Sequence, residues 1–333
     1  MRNPAKFIGA AVVGMAVLFA ASARAQDAKH YRFAHDQQLN TGYSIAYDMF
    51  SARLKELSKG TMLVDQYPGA QLGQEPQLLQ LVKSGDIEFA IVSSANTATI
   101  SPQAGVMSLH FLFRDADHVV KALADPQVID AIKAMIDDTT QGLHVIATGS
   151  QGVRNIYSKK EIHNLGDLKG VKIRVQATAT EDAIFPAYGA QTVHMPFGSV
   201  YTSLQTGVVD AAENSINVYL VNKHYEVAPV LSITEHEANN ALVYVSDKLW
   251  QSLSAEQKQW VTTAAAEISA KEPARAFELE KAAATKLKSL GVKIVEDVEK
   301  KGFAAISDPF LEKLAKDLGP HAEKIKNLIR AIN

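Results

Sequence analysis

The chain has 333 residues, 47% of them hydrophobic and 21% charged, with a formal net charge of -2 and no cysteine. That length and balance fit one or two ordinary globular domains whose core is large enough to need no staples. The charge leaves no basic field for nucleic acid, so selectivity for an anion has to come from a local site, and the lack of cysteine excludes disulfides, metal–thiolate chemistry and a cysteine nucleophile.

Arg2 and Lys6 precede an apolar run over residues 7–21, followed by Ala23-Arg24-Ala25 and Gln26. The run is shorter than the roughly 20 residues that span a bilayer, and a small-x-small step follows it, so residues 1–25 read as a cleaved secretory signal. An uncleaved anchor is the competing reading. No comparable apolar stretch follows, so the exported chain is expected to be soluble and to lie in the periplasm.

Residues 30–34 alternate as a first strand, followed by the polar loop His35-Asp36-Gln37-Gln38-Leu39-Asn40. A helix over 43–57 carries Ile45, Met49, Ala52 and Leu57 near one face and ends at Gly60. A second strand over 61–67 leads into the loop 68–75, a helix over 76–83 stops at Gly85, and a third strand over 87–92 ends in Ser93-Ser94-Ala95-Asn96. The loops after these strands offer hydroxyls, amides and one acid but no cation: Gln38, Ser94, Asn96 and Glu75 are the candidates to face a crevice. Glu75 equally suits the start of a helix, where an acid complements the dipole. His35 is a weaker ligand candidate, since a lone histidine after a strand is more often structural. Residues 107–113 form an apolar run that fits beneath helices over 116–124 and 128–136, and a strand over 143–148 leads out of this region.

Gly149-Ser150-Gln151-Gly152 suits a hinge or a plain turn. Beyond it lies Arg154, then Asp167-Leu168-Lys169-Gly170 and a strand over 171–175 that carries Arg174 in an otherwise apolar run. Helix over 180–188, strand over 193–196, helix over 199–205 and a strand-like run into Glu213-Asn214 follow. Alternating strands and helices predict an α/β fold with a parallel sheet, and ligands in such sheets sit beyond the carboxyl ends of the strands. Arg174 and Asn214 fall at such ends. A guanidinium presents a rigid, permanently charged fork that fits both oxygens of a carboxylate, and an amide adds a donor without charge, so the pair is read as holding an acid. Gln176 shares a strand face with Arg174. Glu213 is read as pointing the other way, towards the surface or the hinge.

A strand over 230–245 is read as interrupted by Glu235-His236-Glu237-Ala238-Asn239-Asn240. His236 between two acids resembles a metal cluster, but neighbouring residues of a strand alternate faces and no second histidine stands at ligand spacing, so no metal is expected. Ser254-Ala255-Glu256-Gln257 opens a helical pattern that runs almost to Leu290 with Pro273 inside it, where a kink is expected. A late strand over 292–298 and helices over 308–332 complete the chain.

Taken together, Asp167-Leu168-Lys169-Gly170-Val171-Lys172-Ile173-Arg174, then Tyr201-Thr202-Ser203-Leu204-Gln205-Thr206-Gly207-Val208-Val209-Asp210, then Glu213-Asn214 resemble the periplasmic solute-binding proteins of TRAP transporters, the DctP-like family. The resemblance reaches from about Tyr31 to the last helix. It implies a two-lobed periplasmic-binding-protein fold with a hinge and a long bent helix spanning both lobes: lobe I at 26–149 with about 236–270, lobe II at 150–235 with about 275–333. It implies that Arg154 contacts the acid or braces Arg174, that Phe197 forms an aromatic wall or packs in the core, that an acid at Glu75 accepts hydroxyl hydrogen bonds, and that His236 and Asn239 lie near the cleft.

The function implied is capture of a small organic acid, most readily a hydroxylated one such as a uronate, for secondary-active uptake through small and large TRAP membrane subunits. C4-dicarboxylates are the nearest alternative, and Phe197, Tyr43 and Tyr188 leave room for an aromatic acid. An exported enzyme acting on carboxylates is the reading from another class, but no nucleophile motif, metal spacing or phosphate-cradling loop supports it. No cofactor and no nucleic acid are expected, and the receptor is expected to be a monomer.

Overall fold

The computed structural model describes residues 28–333; the secretory signal read at 1–25 lies outside the described residues. No described helix is long and apolar enough to cross a membrane. β1 (Lys29–Ala34) pairs in parallel with β2 (Met62–Tyr67) and β3 (Phe89–Ser93), and helices α1 (Gly42–Leu57) and α2 (Glu75–Ser84) make the crossovers between them. At the other end, β5 (Lys172–Val175) pairs in parallel with β6 (Gln191–His194) and β7 (Ala211–Asn214). Between these two parallel sets run β4 (Leu143–Ser158) and β8 (Val230–Ser246), antiparallel to each other and to β7 and β3 respectively, so one sheet of nine strands spans the molecule, eight of them in the order β2-β1-β3-β8-β4-β7-β5-β6. β9 (Lys293–Val295) adds to β8.

The expectation of a parallel sheet holds within each set and fails at the join. There, two strands of 16 and 17 residues carry the chain from one lobe to the other. Gly149-Ser150-Gln151-Gly152 is therefore part of β4. Its pairing with β8 slips between Ser150 and Val153, and Gly152 takes φ +95°, with Glu280 so close that a Cβ would stand 2.5 Å from its side chain. Nor is β8 interrupted at Glu235–Asn240. Asn240, Ala238 and Glu237 pair with Ser150, Val153 and Arg154 of β4, the stretch from His236 to Asn240 is buried, and the exposed, left-handed Glu235 (φ 46°) absorbs the register change as a bulge.

Three apolar clusters surround the sheet. One, around Phe33, Phe50 and Phe89, seats α1 and the start of the long helix Ala255–Ser289; another, around Tyr157, Tyr219 and Leu287, seats its end. The largest cluster covers the remaining helices. The long helix opens on a capping box of Ser254 and Gln257, each satisfying the other's backbone N–H, and continues through Pro273. At 35 residues it is about 50 Å long, enough to lie against both lobes.

Candidate functional site

The carboxyl ends of β1 and β3 from one lobe and of β5 and β7 from the other meet at the middle of the sheet. The side chains that leave them line a cleft with an inner compartment of about 20 Å³ and an outer one of about 260 Å³; Asp36, Glu75, Asn96, Arg174, Gln176 and Phe197 line both. Tyr43, Gln37, Ser93, Gln151, Arg154, Asn214 and Asn239 complete the inner part.

Arg174 sits on β5 between Val193 of β6 and Ala212 of β7 and is 3% exposed. Its Nε and Nη2 donate to the Met195 carbonyl at 3.2 and 2.9 Å, which fixes the plane of the guanidinium, and the Phe197 ring lies 6.0 Å from Cζ. Among the described residues no carboxylate comes within ion-pair distance of it. Burial lowers its pKa more than distant Glu213 raises it. The cation is thus held in a dry place short of negative charge, an arrangement that costs free energy until an anion arrives.

Arg154 does different work. Nε and Nη2 form a two-pronged pair with Glu213, Nη2 at 2.6 Å from Oε1, and Nη1 donates to Asn239 Oδ1 at 3.0 Å. Nη2 also reaches the Glu213 carbonyl at 3.1 Å. Glu213 is consequently buried beneath the cleft and not at the surface or hinge. Burial pushes its pKa up, but the charge and hydrogen bonds of Arg154, with His236 assisting, outweigh that and hold it at about 2. Asn239 Nδ2 in turn donates to Asn214 Oδ1 at 2.8 Å, and Ser215 N donates to the same oxygen at 2.9 Å. With its oxygen engaged twice, the Asn214 amide is oriented to offer Nδ2 as a donor. Arg154 reaches the cleft chiefly through this brace of Glu213, Asn239 and Asn214.

The facing wall is acidic. Glu75 at the start of α2 is 3% exposed and accepts from Tyr43 Oη (2.8 Å), Ser93 N (3.0 Å), Ser93 Oγ (2.5 Å) and Asn96 Nδ2 (2.6 Å). Beside it stands Asp36, which sequence reasoning passed over within the loop after β1. Burial first, and Glu75 second, push its carboxyl well above the ordinary range, which favours the protonated form, able to donate as well as accept. The walls touch: Gln176 Nε2 donates to Ser93 Oγ at 2.8 Å, and Gly198 N donates to Gln74 Oε1 at 3.1 Å.

Four candidates fall outside the cleft. Gln38 is exposed, and its neighbour Gln37 is the buried glutamine of the lining. Ser94 is buried in a short helix while Ser93 lines the site. Both are one-residue slips where a strand passes into a loop and the alternation of faces stops being a guide. His35 is fully buried, bonded to Gln66 at 2.9 Å and packed edge-on to Tyr43, with its pKa lowered to about 4 by burial. It is a core residue. His236 lines a separate cavity, as does Glu237. Tyr188 is also remote, bonded to His110 at 3.0 Å.

That contact bears on the metal question. The fold carries His110 to His236, ring centroids 4.7 Å apart, although 126 positions separate them in sequence. The donor atoms of His110, His236 and Glu237 lie within 4.8 Å of one another, all buried. No histidine at ligand spacing was visible in the sequence because the partner arrives through tertiary packing.

The sequence profile of the family described as bacterial extracellular solute-binding protein, family 7 (DctP) matches residues 33–317. The chain is 31% identical over 317 residues to the 2,3-diketo-L-gulonate-binding periplasmic protein YiaO of Escherichia coli, covering 95% of each. Among solved structures, it is similar to a TRAP periplasmic solute-binding protein of Pseudomonas putida with bound D-glucuronate (TM-score 0.85, 28% identity, 92% of this chain and 98% of that one). A counterpart from Xanthobacter autotrophicus with bound β-D-galacturonate gives a TM-score of 0.83 at 29% identity, covering 91% and 100%.

Proposed function

The chain belongs to the DctP family of extracellular solute-binding proteins, and from that premise we propose that it is the periplasmic receptor of a TRAP transporter and captures a monocarboxylic sugar acid, a uronate above all. The observation that carries this is the polarity of the cleft: a buried guanidinium with no protein carboxylate in reach on one wall, and the buried acids Asp36 and Glu75 on the other. A uronate has one carboxylate for Arg174 and Asn214 and several hydroxyls for Asp36, Asn96 and Gln176. The bound glucuronate and galacturonate of the two structural relatives and the diketogulonate named for the Escherichia coli relative support the same class.

A C4-dicarboxylate would set its second carboxylate against Glu75, where like charge is costly. Phe197 is the one aromatic ring shared by both compartments, which is thin support for an aromatic acid. Closing the lobes strengthens the ion pair by excluding water, and the slip in β4 beside Gly152 supports a division of the chain near residues 149–150. The released ligand would pass to the small and large membrane subunits.

Thermal shift and calorimetry against glucuronate, galacturonate, succinate and benzoate test the reading. A uronate at about 100 times its dissociation constant should add roughly 2.7 kcal/mol of stability. Stabilisation by succinate with none from either uronate would overturn the assignment.

A further inference from the structure

Apart from the cleft, the molecule has a cavity of about 340 Å³ that shares no lining residue with it. Phe113, Val119, Phe277 and Arg114 form part of its walls, and His236 and Glu237 of β8, both buried, border it. Against these two residues lies His110, itself wholly buried.

Three observations make this cluster a built site and not a chance meeting of polar groups. First, the donors of His110, His236 and Glu237 already lie within 4.8 Å of one another, and ligands at about 2.0–2.2 Å from a zinc-class ion stand no more than about 4 Å apart, so less than about 1 Å of side-chain motion closes the set. Second, each imidazole is fixed by a hydroxyl on its other nitrogen: His110 Nδ1 lies 3.0 Å from Tyr188 Oη, and His236 Nδ1 lies 2.7 Å from Thr234 Oγ1. The tautomer that donates Nδ1–H to those oxygens turns both Nε2 lone pairs inwards, the way metal-binding histidines are held. Third, His236 Nε2 is buried without a hydrogen bond, its nearest acid being Glu213 Oε2 at 3.7 Å, and Oε1 of Glu181 is buried without one too, while the other oxygen of Glu181 lies 3.4 Å from His110 Nε2. A buried polar atom left unpaired costs roughly 1–3 kcal/mol, and two on facing elements ask for a common partner.

Glu213 and Glu237 both approach the guanidinium of Arg154, and Glu181 lies against both His110 and Glu237, so three carboxyl groups surround one fixed cation, and a bound dication would release whatever protons they share. The neighbouring cavity gives it a way in.

We infer that His110, His236 and Glu237, with Glu181 as the fourth donor, form a site for one divalent transition-metal ion of the zinc class, distinct from the sugar-acid cleft. Two imidazoles with carboxylates make a donor set suited to zinc or cobalt(II) and poorly suited to calcium or magnesium, which take oxygen ligands. The ion would tie β8 to the helix Ala179–Ala187 and to the 3-10 turn Pro102–Ser108 that leads into His110, with no reaction to perform.

The test uses the full mature chain, stripped with a chelator and titrated with cobalt(II) and with zinc. One cobalt per chain with the visible absorption bands of a four-coordinate site is expected, together with displacement by zinc. His110→Gln should weaken binding at least tenfold, and Glu181→Gln measurably, while glucuronate binding, followed in parallel by calorimetry, persists in both. Stoichiometric metal binding unaltered by both substitutions would place the ion at surface histidines and overturn the inference. If the substituted chains do not fold, the wild-type spectrum decides alone: octahedral or absent cobalt bands refute the site. Metal binding in a chain that ignores uronates would refute the proposed ligand and leave the metal site standing.

Discussion

At the scale of single residues the cleft turns on the difference between two arginines. Arg154 is saturated by Glu213, Asn239 and a backbone carbonyl, whereas Arg174 has one edge on the Met195 carbonyl and the rest of its fork towards the cleft. Arg174→Ala removes the cation that faces a buried ligand carboxylate, a loss on the order of 3–5 kcal/mol, so calorimetry should show uronate binding weakened by roughly two to four orders of magnitude. Arg174→Lys keeps the charge and loses the planar fork, and an affinity well below wild type is expected; an unchanged affinity would argue against two-pronged recognition. Arg174 was legible in the sequence as the one arginine of a short strand that is otherwise apolar at its carboxyl end. Asp36 was not, because its position in a polar loop gives no hint that burial and Glu75 will push its carboxyl up. The bond between Arg154 and Glu213 depends on the pairing of β4 with β7, a register that neither segment displays alone.

At the scale of elements, the close approach of α1 to β4 makes a sharper forecast than helix propensity does. Gly42 opens α1, and a Cβ there would stand 2.1 Å from the Ser150 carbonyl oxygen and 2.8 Å from Glu272 Oε1. Propensity favours alanine over glycine in a helix by up to about 1 kcal/mol, but the obstacle is backbone, and overpacking of that kind costs about 1–3 kcal/mol or more. Gly42→Ala should therefore destabilise the chain in urea titrations and loosen the α1–β4 contact next to the register slip. Crossover helices and their parallel strands were readable from periodicity to within a residue or two. The antiparallel join was not, since β8 carries six successive residues, Glu235 to Asn240, that read as a loop until β4 is beside them.

At the scale of the whole molecule, stability should depend on pH from both sides. Burial lowers His35 to about 4 and His224 to about 3. The unfolded chain binds more protons at these groups, so stability is lost as pH falls from about 6.5 towards 3. Glu280 is pushed by burial up to about 8. Here the folded chain holds the extra proton, so its contribution declines as pH rises from 4.5 to about 8 and is level beyond. Glu280 accepts from Ile216 N and Asn217 N at the start of a helix, and Glu280→Gln keeps an acceptor without the titration. Relative to wild type, this variant should gain stability between pH 5 and pH 8, by at most about 1.4 kcal/mol per unit; denaturation midpoints at pH 5, 6.5 and 8 would show it, and a parallel pair of profiles would contradict it.

The order in which the strands lie has a consequence for how the chain comes into being. β3 ends at Ser93, yet its neighbour across the sheet, Ala241 to Val245, is synthesised some 150 residues later. Until that return strand emerges, the amino-terminal half has an open edge and cannot complete its own sheet, so early segments stay unlocked during translation.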